Sequence, residues 1–217
     1  ATVPTQPPAP VADDATVQAI AAAIRSGKKA ALLLGGRALR EPALVAAARI
    51  AAHNGVKLFA ECFPTRIERG AGLPAVERIA YLAELAGVQL ADIEHLVLVD
   101  AKAPVSFFAY PGKKSYLVPD TCQVHTLATP EQDARASLEK LVVALGAANA
   151  QPALQPVQRP DRPRGRLTAE KVCKAVGHLL PDNAVSVDEA ITSGLMLAAM
   201  TAGAPRHDVI TLTGGAI

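Results

Sequence analysis

Apolar and polar positions fall along this chain in blocks. Residues 30–34 (AALLL) form an unbroken apolar run, the mark of a strand covered on both faces. Before it, residues 15–26 bring Val17, Ile20, Ala21 and Ile24 onto one helical face, with Asp13 and Asp14 at the start and Gly27 at the end. After it, a Gly35-Gly36-Arg37 turn leads into a helix that opens at Glu41-Pro42 and stops at Asn54-Gly55. Residues 56–60 (VKLFA) predict a second strand, and the β-α-β order requires a parallel, right-handed arrangement. Residues 63–74 read as a loop and 77–86 as a helix. Residues 96–100 (LVLVD) read as a third strand, with two further strands at 115–118 and 123–127. A last helix is expected from Pro130 to about residue 145. Five strands alternating with helices predict a doubly wound parallel α/β domain over residues 11–148.

The flanks differ in composition. Residues 1–10 hold four prolines and read as an extended linker. Residues 149–166 are a second linker, rich in Pro and Arg, whose charge is expected to be a solvated face. From residue 167 a new unit begins. Thr168 is a candidate N-cap, with Lys171 at the third helical position, for a helix ending near residue 180. A strand at 184–187, a polar turn opening a helix at 188–200, and a strand at 209–212 before Gly214-Gly215 follow. Residues 167–217 thus read as the first part of an incomplete second α/β domain, and the chain as a piece of something longer.

Half of the residues are hydrophobic and only 3% are aromatic, which suits helices packed on a sheet better than a β-sandwich. A net charge of +2 offers no electrostatic case for nucleic acid. Cys62, Cys122 and Cys173 lie too far apart in sequence to suggest a disulfide framework or a zinc site, and suit a reducing, cytoplasmic compartment. No apolar run reaches membrane-spanning length.

Three places could carry chemistry. The Gly35-Gly36-Arg37 turn could seat a pyrophosphate, which keeps an NAD-dependent oxidoreductase open. It lacks a third glycine, and a tight strand-to-helix turn is the favoured reading. His53, His95, His125, His178 and His207 have no Cys or acidic neighbour at metal-ligand spacing and read as structural or exposed. The run Asp188-Glu189-Ala190-Ile191-Thr192-Ser193-Gly194 follows a strand directly. Its hydroxyls could bind phosphate oxygens or merely cap a helix.

The order VDEAITSG followed by LTGGAI resembles the start of the cofactor-binding domain of thiamine diphosphate enzymes of the acetolactate synthase, benzoylformate decarboxylase and pyruvate decarboxylase family. The Pro-rich linker, the ECFPTR segment and LTAEKV…LLPDNAVSVDE match the same layout. The resemblance implies a thiamine diphosphate- and magnesium-dependent enzyme, a lyase or transferase acting on small 2-oxo acids, assembled as a homodimer or homotetramer. It makes Ile191, Thr192 and Ser193 the diphosphate-contacting turn, with Glu189 an acidic position beside it. It makes Gly215 the backbone carbonyl that meets the aminopyrimidine, and Ile217 the apolar wedge that bends the coenzyme. It implies an activating glutamate and a magnesium motif outside these residues, so that the chain alone is expected to be inactive. Residues 100–105 lack the Arg-Phe-Asp-Asp run of flavin-binding members, and FAD is not expected. A non-catalytic nucleotide-binding or scaffold domain is the competing reading.

Overall fold

The structure is a computed structural model and describes residues 7–109, 111–190 and 192–211. Its first sheet has five parallel strands in the order β4-β2-β1-β5-β6: β1 (Ala30–Leu34), β2 (Lys57–Ala60), β4 (Glu77–Arg78), β5 (His95–Val99) and β6 (Gln123–Ala128). All five residues of β1 are buried, as a central strand requires. Alternate side chains serve different cores. Leu32 and Leu34 join one cluster with residues of α1 (Asp14–Arg25), α2 (Glu41–Asn54) and α4 (Ala134–Leu145). Ala31 and Leu33 join another with Phe59 and with Ala86 and Leu90 of α3 (Ala83–Leu90). Helices therefore cover both faces, and the fold is a doubly wound parallel α/β sheet.

Local chemistry sets the helix ends. Asp13 caps α1 by accepting the Thr16 N–H at 2.7 Å. Gly55 ends α2 in the left-handed region at φ 69, with its N–H donated to the Ala51 carbonyl.

A second sheet has the order β3-β8-β7: β3 (Ile67–Arg69), β7 (Ala184–Asp188) and β8 (His207–Thr211). β7 and β8 run parallel, and β3 pairs antiparallel with β8. Thr168 accepts the Lys171 N–H at 3.3 Å and caps α5 (Ala169–Leu179). The Pro/Arg-rich segment has no regular element but is tied down. Gln155 exchanges backbone hydrogen bonds with Gly72 and Leu73, and the Gln158 N–H donates to the Gly203 carbonyl.

Several expectations are corrected. Residues 67–69, read as loop, form β3, because they pair with β8 far along the chain. The helix expected at 77–86 starts later, at Ala83, because Glu77 and Arg78 pair with Phe59 and Ala60 as β4. Residues 115–118 are not a strand of the sheet; Tyr116 makes only an isolated bridge to Val105. The helix expected from Pro130 starts at Ala134, where the Asp133 carboxylate accepts the Ala136 N–H. The helix expected at 188–200 shrinks to α6 (Leu197–Met200), because the Asp188 carboxylate and the Gly194 turn hold the preceding residues in a loop.

Candidate active site

The candidate site grows from the pairing of β7 with β8. Five residue pairs stand in parallel register, from Ala184 with His207 to Asp188 with Thr211. The carboxyl ends of the two strands thus lie side by side, and that end of a parallel pair is where α/β sheets collect ligands. The turn after β7 is organised by Asp188, whose Oδ1 accepts the Ala190 N–H at 3.0 Å. Gly194 closes it. A Cβ there would lie 2.7 Å from the Ala190 carbonyl oxygen and 2.9 Å from Asp188 Oδ1. Farther on, the Leu197 N–H donates to the Gly194 carbonyl at 2.8 Å, and the Cys173 thiol lies 3.4 Å from the Ser193 carbonyl oxygen.

Glu189, Thr192 and Ser193 are exposed on this turn. Ile191, Gly215 and Ile217 lie outside the described residues. The helix-dipole argument for this turn falls, since among the described residues the helix that follows is the single turn of α6. What remains is a loop with two solvent-facing hydroxyls. Spacing had not singled out Asp188 as the residue that shapes the turn; an Asp two residues before an N–H it can accept is the signal.

Beneath the loop is a small cavity of about 30 Å³, bordered by Arg69, Arg78, Asp188, Leu197 and Thr211. It has room for about one or two waters, not a coenzyme. Arg69 donates to the Ala198 carbonyl at 2.8 Å, and burial and the nearby Arg78 charge pull its pKa down. Thr211 donates its hydroxyl to the Pro64 carbonyl at 2.8 Å, which ties the end of β8 to the loop after β2.

Other candidates fall elsewhere. His95 and His125 meet at the amino ends of β5 and β6, Nδ1 to Nε2 at 3.1 Å; burial and the neighbouring ring hold His125 below its usual range. Among the described residues no group of three or more His, Cys, Asp or Glu side chains could hold a metal ion. No described helix is long and apolar enough to cross a membrane. At the Gly35-Gly36-Arg37 turn, the Arg37 N–H donates to Asp100 Oδ2 at 2.7 Å, and a Cβ on Gly36 would lie 2.5 Å from that same oxygen. The turn is packed against an internal carboxylate, which speaks against the oxidoreductase reading.

The fold is similar to that of part of the thiamine diphosphate-dependent enzymes. It superposes on the benzoylformate decarboxylase of Polynucleobacter necessarius with a TM-score of 0.69 at 17% identity, covering 98% of this chain and 43% of that one. It superposes on the thiamine diphosphate-dependent 4-hydroxybenzoylformate decarboxylase of Rhodococcus jostii RHA1 with a TM-score of 0.66 at 13% identity, covering 96% and 42%. In sequence, the chain is 51% identical over 201 residues to IlvX of Mycobacterium tuberculosis (strain ATCC 25618 / H37Rv), an acetolactate synthase large subunit-like protein. That match takes in 91% of this chain, which spans 38% of the relative's length. No family model matches the chain. In both sequence and fold, the chain resembles thiamine diphosphate-dependent enzymes of the acetolactate synthase and benzoylformate decarboxylase group.

Proposed function

We propose that this chain is part of a thiamine diphosphate- and magnesium-dependent enzyme that decarboxylates 2-oxo acids or joins them as an acetolactate synthase does. The observation that carries the reading is the in-register pairing of β7 with β8, which gives the loop after Asp188 and the carboxyl end of β8 a common rim. The residues present fit a diphosphate there. Thr192 and Ser193 are exposed on the loop after Asp188. In this reading Thr192 and Ser193, with Ile191, hold the diphosphate, and Glu189 stands beside them. Gly215 would offer its backbone carbonyl to the aminopyrimidine, and Ile217 would supply the apolar wedge against the coenzyme. When bound, the coenzyme would supply a nucleophilic carbon for the substrate carbonyl and a cationic ring to take up the electron pair left by loss of carbon dioxide. The chain's own task is to fix the coenzyme's position and shape. No magnesium ligand is assigned among these residues. We place the division between a central domain and the cofactor-binding domain in residues 149–166, and the whole protein in the cytoplasm as a homodimer or homotetramer.

The test is a titration of thiamine diphosphate with magnesium into the full-length protein, with a screen of 2-oxo acids for carbon dioxide release. Thr192→Ala and Ser193→Ala are expected to weaken coenzyme binding by about tenfold or more each, the scale of a hydrogen bond to a charged group. Unchanged affinity in both variants would remove the turn from the site. Weak binding to the 217-residue chain alone is expected.

A further inference from the structure

We infer that Asp100 is a built-in ligand: its carboxylate occupies, from within the chain, the anion seat of the first sheet. The crevice beside it therefore rejects phosphate-bearing nucleotides. The inference rests on the first sheet alone and stands apart from the function proposed for the loop after β7.

The strand order locates the crevice. From β1 the chain builds outward through β2 and β4 on one side, then through β5 and β6 on the other. The order reverses between β1 and β5, and in open α/β sheets ligands enter at that reversal, beyond the carboxyl ends of the strands. The turn after β1 has the usual equipment for a phosphate: consecutive glycines, outward N–H groups and an arginine.

Every part of that equipment is already in use. The Arg37 N–H donates to Asp100 Oδ2 at 2.7 Å, and the Gly36 N–H donates to Glu61 Oε1 at 3.3 Å. The space that glycine leaves is filled, since a Cβ on Gly36 would lie 2.5 Å from Asp100 Oδ2 and 2.9 Å from Oδ1. The cation is engaged as well. Arg37 Nε lies 3.8 Å from the Asp100 carboxylate, while its Nη2 donates to the carbonyls of Pro130 at 2.6 Å and Gln132 at 3.0 Å. The guanidinium thus crosses the carboxyl end of β5 and closes the crevice toward the loop after β6.

Two further features mark Asp100 as held in place. Its side chain is only 7% exposed, although a buried carboxylate is costly unless paired. Its φ of 51 lies in the left-handed region, uncommon for a residue with a Cβ. The Asp100 N–H donates to the Ala128 carbonyl at 2.8 Å, which fixes that backbone. Strain of this kind persists where the neighbours over-determine it. Here the neighbours are the N–H donor and the arginine that a bound phosphate would otherwise take.

The test compares the full-chain wild type with Asp100→Gly, a substitution that suits the left-handed backbone, using millimolar formate and ADP as probes. Asp100→Gly is expected to lose thermal stability and to regain part of it with formate, which replaces the missing carboxylate. It is also expected to bind ADP at least about tenfold tighter than wild type, since one added charged hydrogen bond is worth that much. Equal responses of wild type and variant to formate would overturn the inference, as would a folded variant with no response. Asp100→Asn keeps the shape without the charge and is expected to ignore formate; a response as large as that of Asp100→Gly would put the anion elsewhere and overturn it. Should Asp100→Gly not fold, equilibrium dialysis of ADP, NAD or FAD against wild type saturated with thiamine diphosphate still decides. No binding is expected, and saturable binding sinks the proposal.

Discussion

Asp188 and Thr211 stand opposite one another as the last paired residues of β7 and β8. Each ties down what surrounds the shared rim. Asp188 accepts the Ala190 N–H and shapes the loop above, and Thr211 donates to Pro64 and anchors the rim to the first sheet's loops. In the proposed reading, the two neighbouring strand ends are the anchored walls of the coenzyme site.

The loop is therefore sensitive to Gly194. A methyl there would press on the Ala190 carbonyl and on Asp188 Oδ1, both within 3 Å. Gly194→Ala is expected to displace residues 189–193 and to weaken thiamine diphosphate binding by about tenfold, with far-ultraviolet circular dichroism unchanged; overpacking of about 1–3 kcal/mol is enough for that. Calorimetric titration of the full-length protein checks it.

Asp208 joins the two sheets through charge. It pairs with Arg40 at 2.9 Å and Arg66 at 2.6 Å, and Arg40 also holds Glu68 at 2.7 Å. The Arg66 hydrogen bond, followed by the Arg40 and Arg66 charges, holds the Asp208 carboxyl below its ordinary range. A depressed folded pKa gives stability that is present above the unfolded value and lost as pH falls through the folded one. Asp208→Asn is expected to cost about 1–3 kcal/mol near neutral pH. The gap from wild type should close in acid below the ordinary aspartate range, as read by urea unfolding at several pH values.

Glu61 has the opposite sign. Burial raises its pKa, and the Asp100 charge adds to the rise, against the Gly36 N–H that lowers it. Its ionisation therefore costs stability as pH climbs from the ordinary glutamate value through the raised one. Glu61→Gln keeps an oxygen for the Gly36 N–H and removes the charge. Its stability relative to wild type is expected to improve steadily across that rise, and a flat difference would contradict the assignment.

Gly177 marks the contact of α5 with α6. A Cβ there would fall 2.0 Å from the Met200 carbonyl oxygen and 3.0 Å from Pro160 Cγ. Alanine gains about 0.5–1 kcal/mol in an exposed helix interior, but overpacking against backbone costs about 1–3 kcal/mol. Gly177→Ala is expected to lower the unfolding temperature, as measured by calorimetry.

What the sequence discloses follows from what forms each element. β1 is an unbroken apolar run bounded by lysines and glycines, so its ends are local facts, and α2 is framed by Pro42 and Gly55. Thr168 likewise announces α5. β3 has no such signature: Ile67, Glu68 and Arg69 become a strand only because β8 lies alongside. Tyr116 sits in a segment with strand composition but finds only Val105 as a bridge partner. The helix expected after Asp188 is shortened because a carboxylate and a glycine at its start favour a turn. At the candidate site, motif order points to Thr192 and Ser193 as candidates, and both lie exposed on the loop after Asp188. Asp188's role was not legible in the sequence, because it depends on a hydrogen bond visible only in three dimensions.

β3 leaves the first sheet's connection between β2 and β4 and lies down in the other sheet. Such a loan makes the two sheets share one fate. Melting the second sheet strips the cross-strand partners from Ile67–Arg69, and loosening the first withdraws an edge strand from the second. Heat or denaturant then acts on the pair as a single cooperative body.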